Sequence, residues 1–98
     1  MYIVELSNQA KSDRRLVKMA RLEKKAKLLL NIIAVNPFQT PPDYERLLLD
    51  MHGNFSRQLN EQHRLIYDVI KNVENLTAPD GTPYEGIIRV KRMWTQIE

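Results

Sequence analysis

The spacing of apolar residues changes from strand-like to helical and back along this chain. Residues 2–6, YIVEL, are short, apolar and partly β-branched, and they stop at Ser7-Asn8, whose side chains can accept backbone N–H bonds at a helix start. The pattern predicts a strand, then a helix. Residues 9–35 contain neither Gly nor Pro. Within them Leu22, Ala26, Leu29, Leu30 and Ile33 fall on one helical stripe, widened by Leu28, Ile32 and Val35. The apolar phase is least settled over residues 20–23, which leaves one long helix and a two-helix hairpin both open. Asn36-Pro37 ends the helical region, because the proline ring clashes with a preceding helical turn, and Pro41-Pro42 stiffens the linker.

Beyond the linker, residues 44–49, 55–59, 63–69 and 87–94 read as strands. Turn signals separate them at 52–54, 60–62 and 78–86. Alternation in the third of these strands places Leu65, Tyr67 and Val69 in the core with His63, and Arg64 on the opposite surface. The Asn-, Pro- and Gly-containing stretch 71–86 is turn chemistry, predicting an extended hairpin loop.

At 98 residues and 43% hydrophobic content, the chain is expected to form one domain, residues 1–98. It has no cysteine, no apolar run near the roughly 18 residues of a membrane span, and no signal-peptide layout at the N-terminus. A cytoplasmic protein without membrane contact is the expectation. The net charge of +3 is unevenly spread: residues 1–27 hold eight Lys or Arg against three acids, and the other 71 hold seven against nine. The N-terminal third is therefore a basic surface, suited to nucleic acid or an acidic partner, or simply a solvated helix face.

Three segments, NPFQTPPDYERL, NFSRQLNEQHRLIYDV and RVKRMWTQIE, resemble the Txe/YoeB family of type II toxins within the wider RelE/ParE superfamily. The likeness spans almost the whole chain and is most specific in NEQHRLIY and RMWT. It implies an α+β, RelE-like fold, with an N-terminal strand and a helical hairpin packed on a twisted, mainly antiparallel sheet whose other face is concave and basic. It further implies a ribosome-dependent endoribonuclease that cuts messenger RNA and is held inactive by a cognate antitoxin. A homodimer is compatible with the family.

Carried over by position, the resemblance makes Glu45 the general base and Arg64 the ligand of the scissile phosphate. Arg46 and Arg57 support the phosphate, with Lys91 and Arg92 adding affinity for RNA. One of that last pair must point away from the groove in a regular strand. Three positions of the expected site depart from the family: Gln58 replaces a second arginine, and Gln96-Ile97 replaces a terminal His-Tyr pair. Gln58 and Ile97 are read as RNA contacts and Gln96 as the residue standing where the general acid would be. Glutamine has no proton to give near neutral pH, so attenuated cleavage is expected, or a relative that only binds antitoxin or ribosome. A fold-sharing gyrase inhibitor is a third reading. At the helical bend Arg21 stands where relatives often carry glycine.

Without the resemblance, Glu45-Arg46 is an ordinary charged pair, and Arg57 and Arg64 could pair with Glu61 or Asp68. Tyr67 and Trp94 read as core aromatics. His52 and His63, without cysteine, supply too few ligands for a metal, and no cofactor is expected.

Overall fold

A computed structural model describes residues 1–47 and 53–95. Strand β1 (Tyr2–Leu6) runs into Ser7, whose Oγ accepts the Ala10 amide at 3.0 Å and donates to the Lys91 carbonyl at 2.8 Å. This cap starts α1 (Asn8–Met19) and ties the start to a distant strand. Helix α1 turns Ala10, Asp13 and Val17 inward, one stripe at helical spacing.

The hairpin is the alternative that forms. Leu22 N donates to Val17 O and Arg21 N to Lys18 O, both at 3.0 Å, the paired bonds of a Schellman turn. Arg21 takes the left-handed conformation that this turn requires, at φ 59°. Helix α2 (Glu23–Val35) buries Ala26, Leu29 and Ile33, with Leu22 and Leu30 at the margin of the core. Leu28 and Val35, expected to widen that stripe, are exposed, because the helix lays one narrow face on the sheet.

The described residues also form β2 (Tyr44–Arg46), β3 (Phe55–Gln58), β4 (Arg64–Lys71) and β5 (Gly86–Thr95). Together with β1 they build a sheet in the order β1-β5-β4-β3-β2, parallel between β1 and β5 and antiparallel elsewhere. Both helices pack on one face, α1 against β5 and α2 chiefly against β1. Core side chains on that face include Leu65, Tyr67, Ile88, Val90 and Met93. Val69 packs at its edge. Positions 48, 49 and 52 of the predicted strand and turn lie outside the described residues. The connection after β4 is a hairpin loop as expected, closed by a Thr77–Pro83 bridge.

Cross-strand pairing fixes which residues share the face turned away from the helices. Glu45 pairs with Ser56 and Ser56 with Ile66, while Gln58 pairs with Arg64 and Asp68 with Arg89. Paired residues lie on the same side of a sheet, so Glu45, Ser56, Gln58, Arg64, Ile66, Asp68 and Arg89 line the open face.

Candidate functional site

Arg64 enters the open face at the first residue of β4, directly after a tight turn. Asn60 builds that turn by accepting the amides of Gln62 at 2.9 Å and His63 at 2.7 Å through Oδ1. Arg64 Nη1 then donates to Ser56 Oγ at 3.0 Å and Nη2 to Glu45 Oε1 at 3.4 Å. The Arg64 side chain is 20% exposed and the Glu45 side chain 62%. A largely sheltered cation thus holds a carboxylate that solvent, or a substrate, can reach. Ser56 is fully buried, pairs with Glu45 in the ladder, and holds the guanidinium through Nη1.

The remaining expected cations do not join this cluster. Arg57 was assigned to RNA but is fully buried on the helix side, where Nε donates to Tyr67 Oη at 3.1 Å. Its Nη1 donates to Pro42 O at 2.7 Å, and its Nη2 to Pro37 O at 3.0 Å and Gln39 O at 2.9 Å. With those donors committed inside the protein, Arg57 does not reach a substrate on the other face. The alternation of Phe55, Arg57 and Leu59 is the signal that places it: two inward positions of β3 and the residue just past its end. Arg46 also falls outside the Glu45–Arg64 cluster, by strand alternation. It follows Glu45 directly in β2 and pairs with Phe55, so the ladder puts it on the face opposite Glu45, although it is exposed.

A register shift in β5 falls at Lys91. Tyr67 pairs with Val90 and Ile66 with Arg92, leaving Lys91 as the extra residue of a bulge. Lys91 Nζ lies 3.5 Å from Asp68 on the open face. Arg92 instead reaches α1, donating to Asp13 from Nε at 2.9 Å and Nη2 at 3.3 Å. This fork is engaged in a helix-to-strand ion pair, with the Arg92 side chain 39% exposed.

Two buried carboxylates hold ion pairs: Asp13, which the sequence reading did not single out, and Asp68, whose partners are Arg89 and Lys91 rather than Arg57 or Arg64. Asp68 accepts two hydrogen bonds from Arg89, one at 2.9 Å from Nε and a short one from Nη2. Burial pushes its carboxyl up, but the hydrogen bond and charge of Arg89, then of Lys91, outweigh burial and hold it below the usual carboxylate value. Asp13 accepts from the Met93 amide at 2.9 Å and the Trp94 amide at 3.2 Å as well as from Arg92. Burial likewise pushes Asp13 up, and Arg92 with the two amides brings it below its ordinary value. Asp13 therefore anchors the end of β5, where Thr95 pairs with Arg64. No local pattern announces a partner 79 positions away.

His63 stacks on Trp94, with ring centroids 3.6 Å apart and planes at 13°. Its contact is with that aromatic at the end of β5. Gln58 is exposed beside Arg64. Gln96, Ile97 and His52 lie outside the described residues. Among the described residues no three His, Asp or Glu side chains gather as a metal site would require, and no helix is long and apolar enough to cross a membrane.

No known protein-family profile matches the chain, and no curated protein matches it. Solved structures do. A YoeB/ParE toxin from Agrobacterium tumefaciens superposes with a TM-score of 0.72 at 21% identity, covering 97% of this chain and 99% of that one. A YoeB dimer from Staphylococcus aureus gives 0.68 at 23% identity, covering 98% of each chain. The chain has the α+β, RelE-like fold of the RelE/ParE toxins: an N-terminal strand, a helical hairpin and a mainly antiparallel sheet.

Proposed function

We propose that this chain is the toxin of a toxin–antitoxin pair and an attenuated, ribosome-dependent endoribonuclease acting on messenger RNA, with Glu45 and Arg64 as its reacting pair. The observation that carries the reading is the 3.4 Å approach of the Glu45 carboxylate to the Arg64 guanidinium on the open face. Cleavage by an internal 2′-hydroxyl needs a base to take its proton and positive charge on the phosphorane that forms. A phosphate entering the site would replace Glu45 as the partner of Arg64 Nη2, freeing the carboxylate to accept the 2′-OH proton. The O2′–P bond forms, the P–O5′ bond breaks, and the products are a 2′,3′-cyclic phosphate and a 5′-hydroxyl. Ser56 keeps Arg64 aimed throughout.

The departing 5′ oxygen needs a proton, and the amide of Gln96 has none to supply. Water must deliver it. A missing general acid slows such a reaction by about 10²- to 10⁴-fold. Mapping message ends after incubation with the purified chain, with and without programmed ribosomes, tests this. Cuts ending in a cyclic phosphate that require ribosomes support the reading, and intact message at high protein excess refutes it.

A second reading, a protein that binds antitoxin or ribosome without cutting, is favoured by the burial of Arg57 and the diversion of Arg92, which leave fewer cations for the phosphate. The double substitution Gln96→His with Ile97→Tyr separates the two. A sharp gain in cleavage supports a nuclease weakened at one step, and no gain supports the binding protein.

A further inference from the structure

Arg57 is a fully buried cation, and among the described residues no carboxylate pairs with it. Burying a charge is costly unless hydrogen bonds compensate, and an apolar side chain would fill the space more cheaply. What Arg57 finds instead is backbone. Residues 36–43, NPFQTPPD, include three prolines, which carry carbonyls but no N–H, so this connection is short of donors for its own acceptors. The Arg57 fork supplies them, reaching the carbonyls of Pro37, Gln39 and Pro42. Tyr67 Oη donates to Pro37 O at 2.7 Å and accepts from Arg57 Nε, closing the network. The guanidinium carbon also stands 5.0 Å from the centre of the Tyr44 ring.

We propose that Arg57 is a positioning residue, whose buried guanidinium fixes the 36–43 connection and thereby sets Glu45 against Arg64. The claim rests on the nuclease reading for its catalytic consequence, but its structural half stands separately. Tyr44 pairs with Arg57 in the ladder, and the next pair along is Glu45 with Ser56, the residue that holds Arg64. Adjacent residues of β3 thus organise the two halves of the site from opposite faces: Arg57 secures the backbone leading to the carboxylate, and Ser56 secures the guanidinium. A loosened connection would let β2 drift at the outer position of the sheet, and a displacement near 1 Å can cost about 10²-fold in rate.

Lysine keeps the charge but lacks the planar fork that reaches three carbonyls. Arg57→Lys is compared with wild type by amide hydrogen exchange, ribosome binding and single-turnover cleavage. The expected result is faster exchange confined to residues 44–47, cleavage slowed by about tenfold to 10²-fold, and unchanged ribosome affinity. Wild-type exchange together with wild-type cleavage overturns the proposal. If Arg57→Lys does not fold, Tyr67→Phe, which removes one hydroxyl of the network, decides. Selective loss of protection at 44–47 supports the proposal, and protection that is unchanged or lost evenly over the sheet overturns it. If the wild-type chain itself does not cut, the nuclease reading fails, and the exchange data alone judge the positioning.

Discussion

Replacing Asp13 with Asn probes the anchor that joins α1 to the end of β5. Oδ2 of Asp13 accepts from Arg92 Nε, Met93 N and Trp94 N at 2.9, 2.9 and 3.2 Å, and Oδ1 accepts from Arg92 Nη2 at 3.3 Å. Asparagine can offer its oxygen to the three donors but without charge, and its NH₂ then faces a guanidinium N–H. Hydrogen bonds to a charged group contribute about 1.5–3 kcal/mol and neutral ones about 0.5–1.5, so three weakened bonds amount to roughly 3 kcal/mol. The Arg92 side chain is 39% exposed, so water recovers part of that loss. The expected destabilisation is about 2–3 kcal/mol at pH 7.

The pH dependence carries a sign. The folded-state carboxyl of Asp13 lies below its ordinary value of 3.8, so its contribution is fully present above that value and is lost as pH falls through the lowered folded value. Urea unfolding, followed by the fluorescence of the chain's one tryptophan, Trp94, measures both variants at pH 7 and at the lowest pH where both fold. The gap between them should shrink at acid pH. Asp68 titrates in the same direction but is common to both proteins and cancels. A gap under about 0.5 kcal/mol at pH 7, or one that does not change with pH, refutes the anchoring role.

Ser56→Ala removes the Oγ that fixes Arg64 Nη1 and should slow cleavage by about tenfold with the fold intact, checked by single-turnover rates and circular dichroism. Arg21→Gly relieves the left-handed φ of 59° and should stabilise the chain by about 0.5–1 kcal/mol in thermal unfolding, after the extra unfolded-state entropy of glycine is counted. Gln96→His with Ile97→Tyr should raise cleavage by about 10²- to 10⁴-fold in the ribosome assay.

Residue pattern alone yielded the strands, the helical stripe and the turn chemistry, because each depends on neighbours within a few positions. The helical bend stayed open because Arg21 gives no glycine signal, and three backbone hydrogen bonds from Ala20, Arg21 and Leu22 decide it. Glu45 and Arg64 were legible through the resemblance, and the ladder then placed them on one face. Arg57 was misread, although its own strand held the correction: alternation groups it with Phe55 and Leu59, and burial of an arginine becomes tolerable once a proline-rich connection supplies carbonyls. Adjacent residues of a regular strand point oppositely, which likewise separates Arg46 from Glu45. Lys91 and Arg92 meet different carboxylates, Asp68 and Asp13, beside a bulge, and Asp13 meets β5 across most of the chain length. Both are products of tertiary packing that no local spacing encodes.

The most direct test of the account compares wild type with Glu45→Gln in single-turnover cleavage on ribosomes programmed with a defined message, at saturating protein. The account predicts wild-type ends carrying a 2′,3′-cyclic phosphate and a loss of about 10²- to 10⁴-fold in Glu45→Gln at equal ribosome affinity. Equal cutting by both proteins would contradict it.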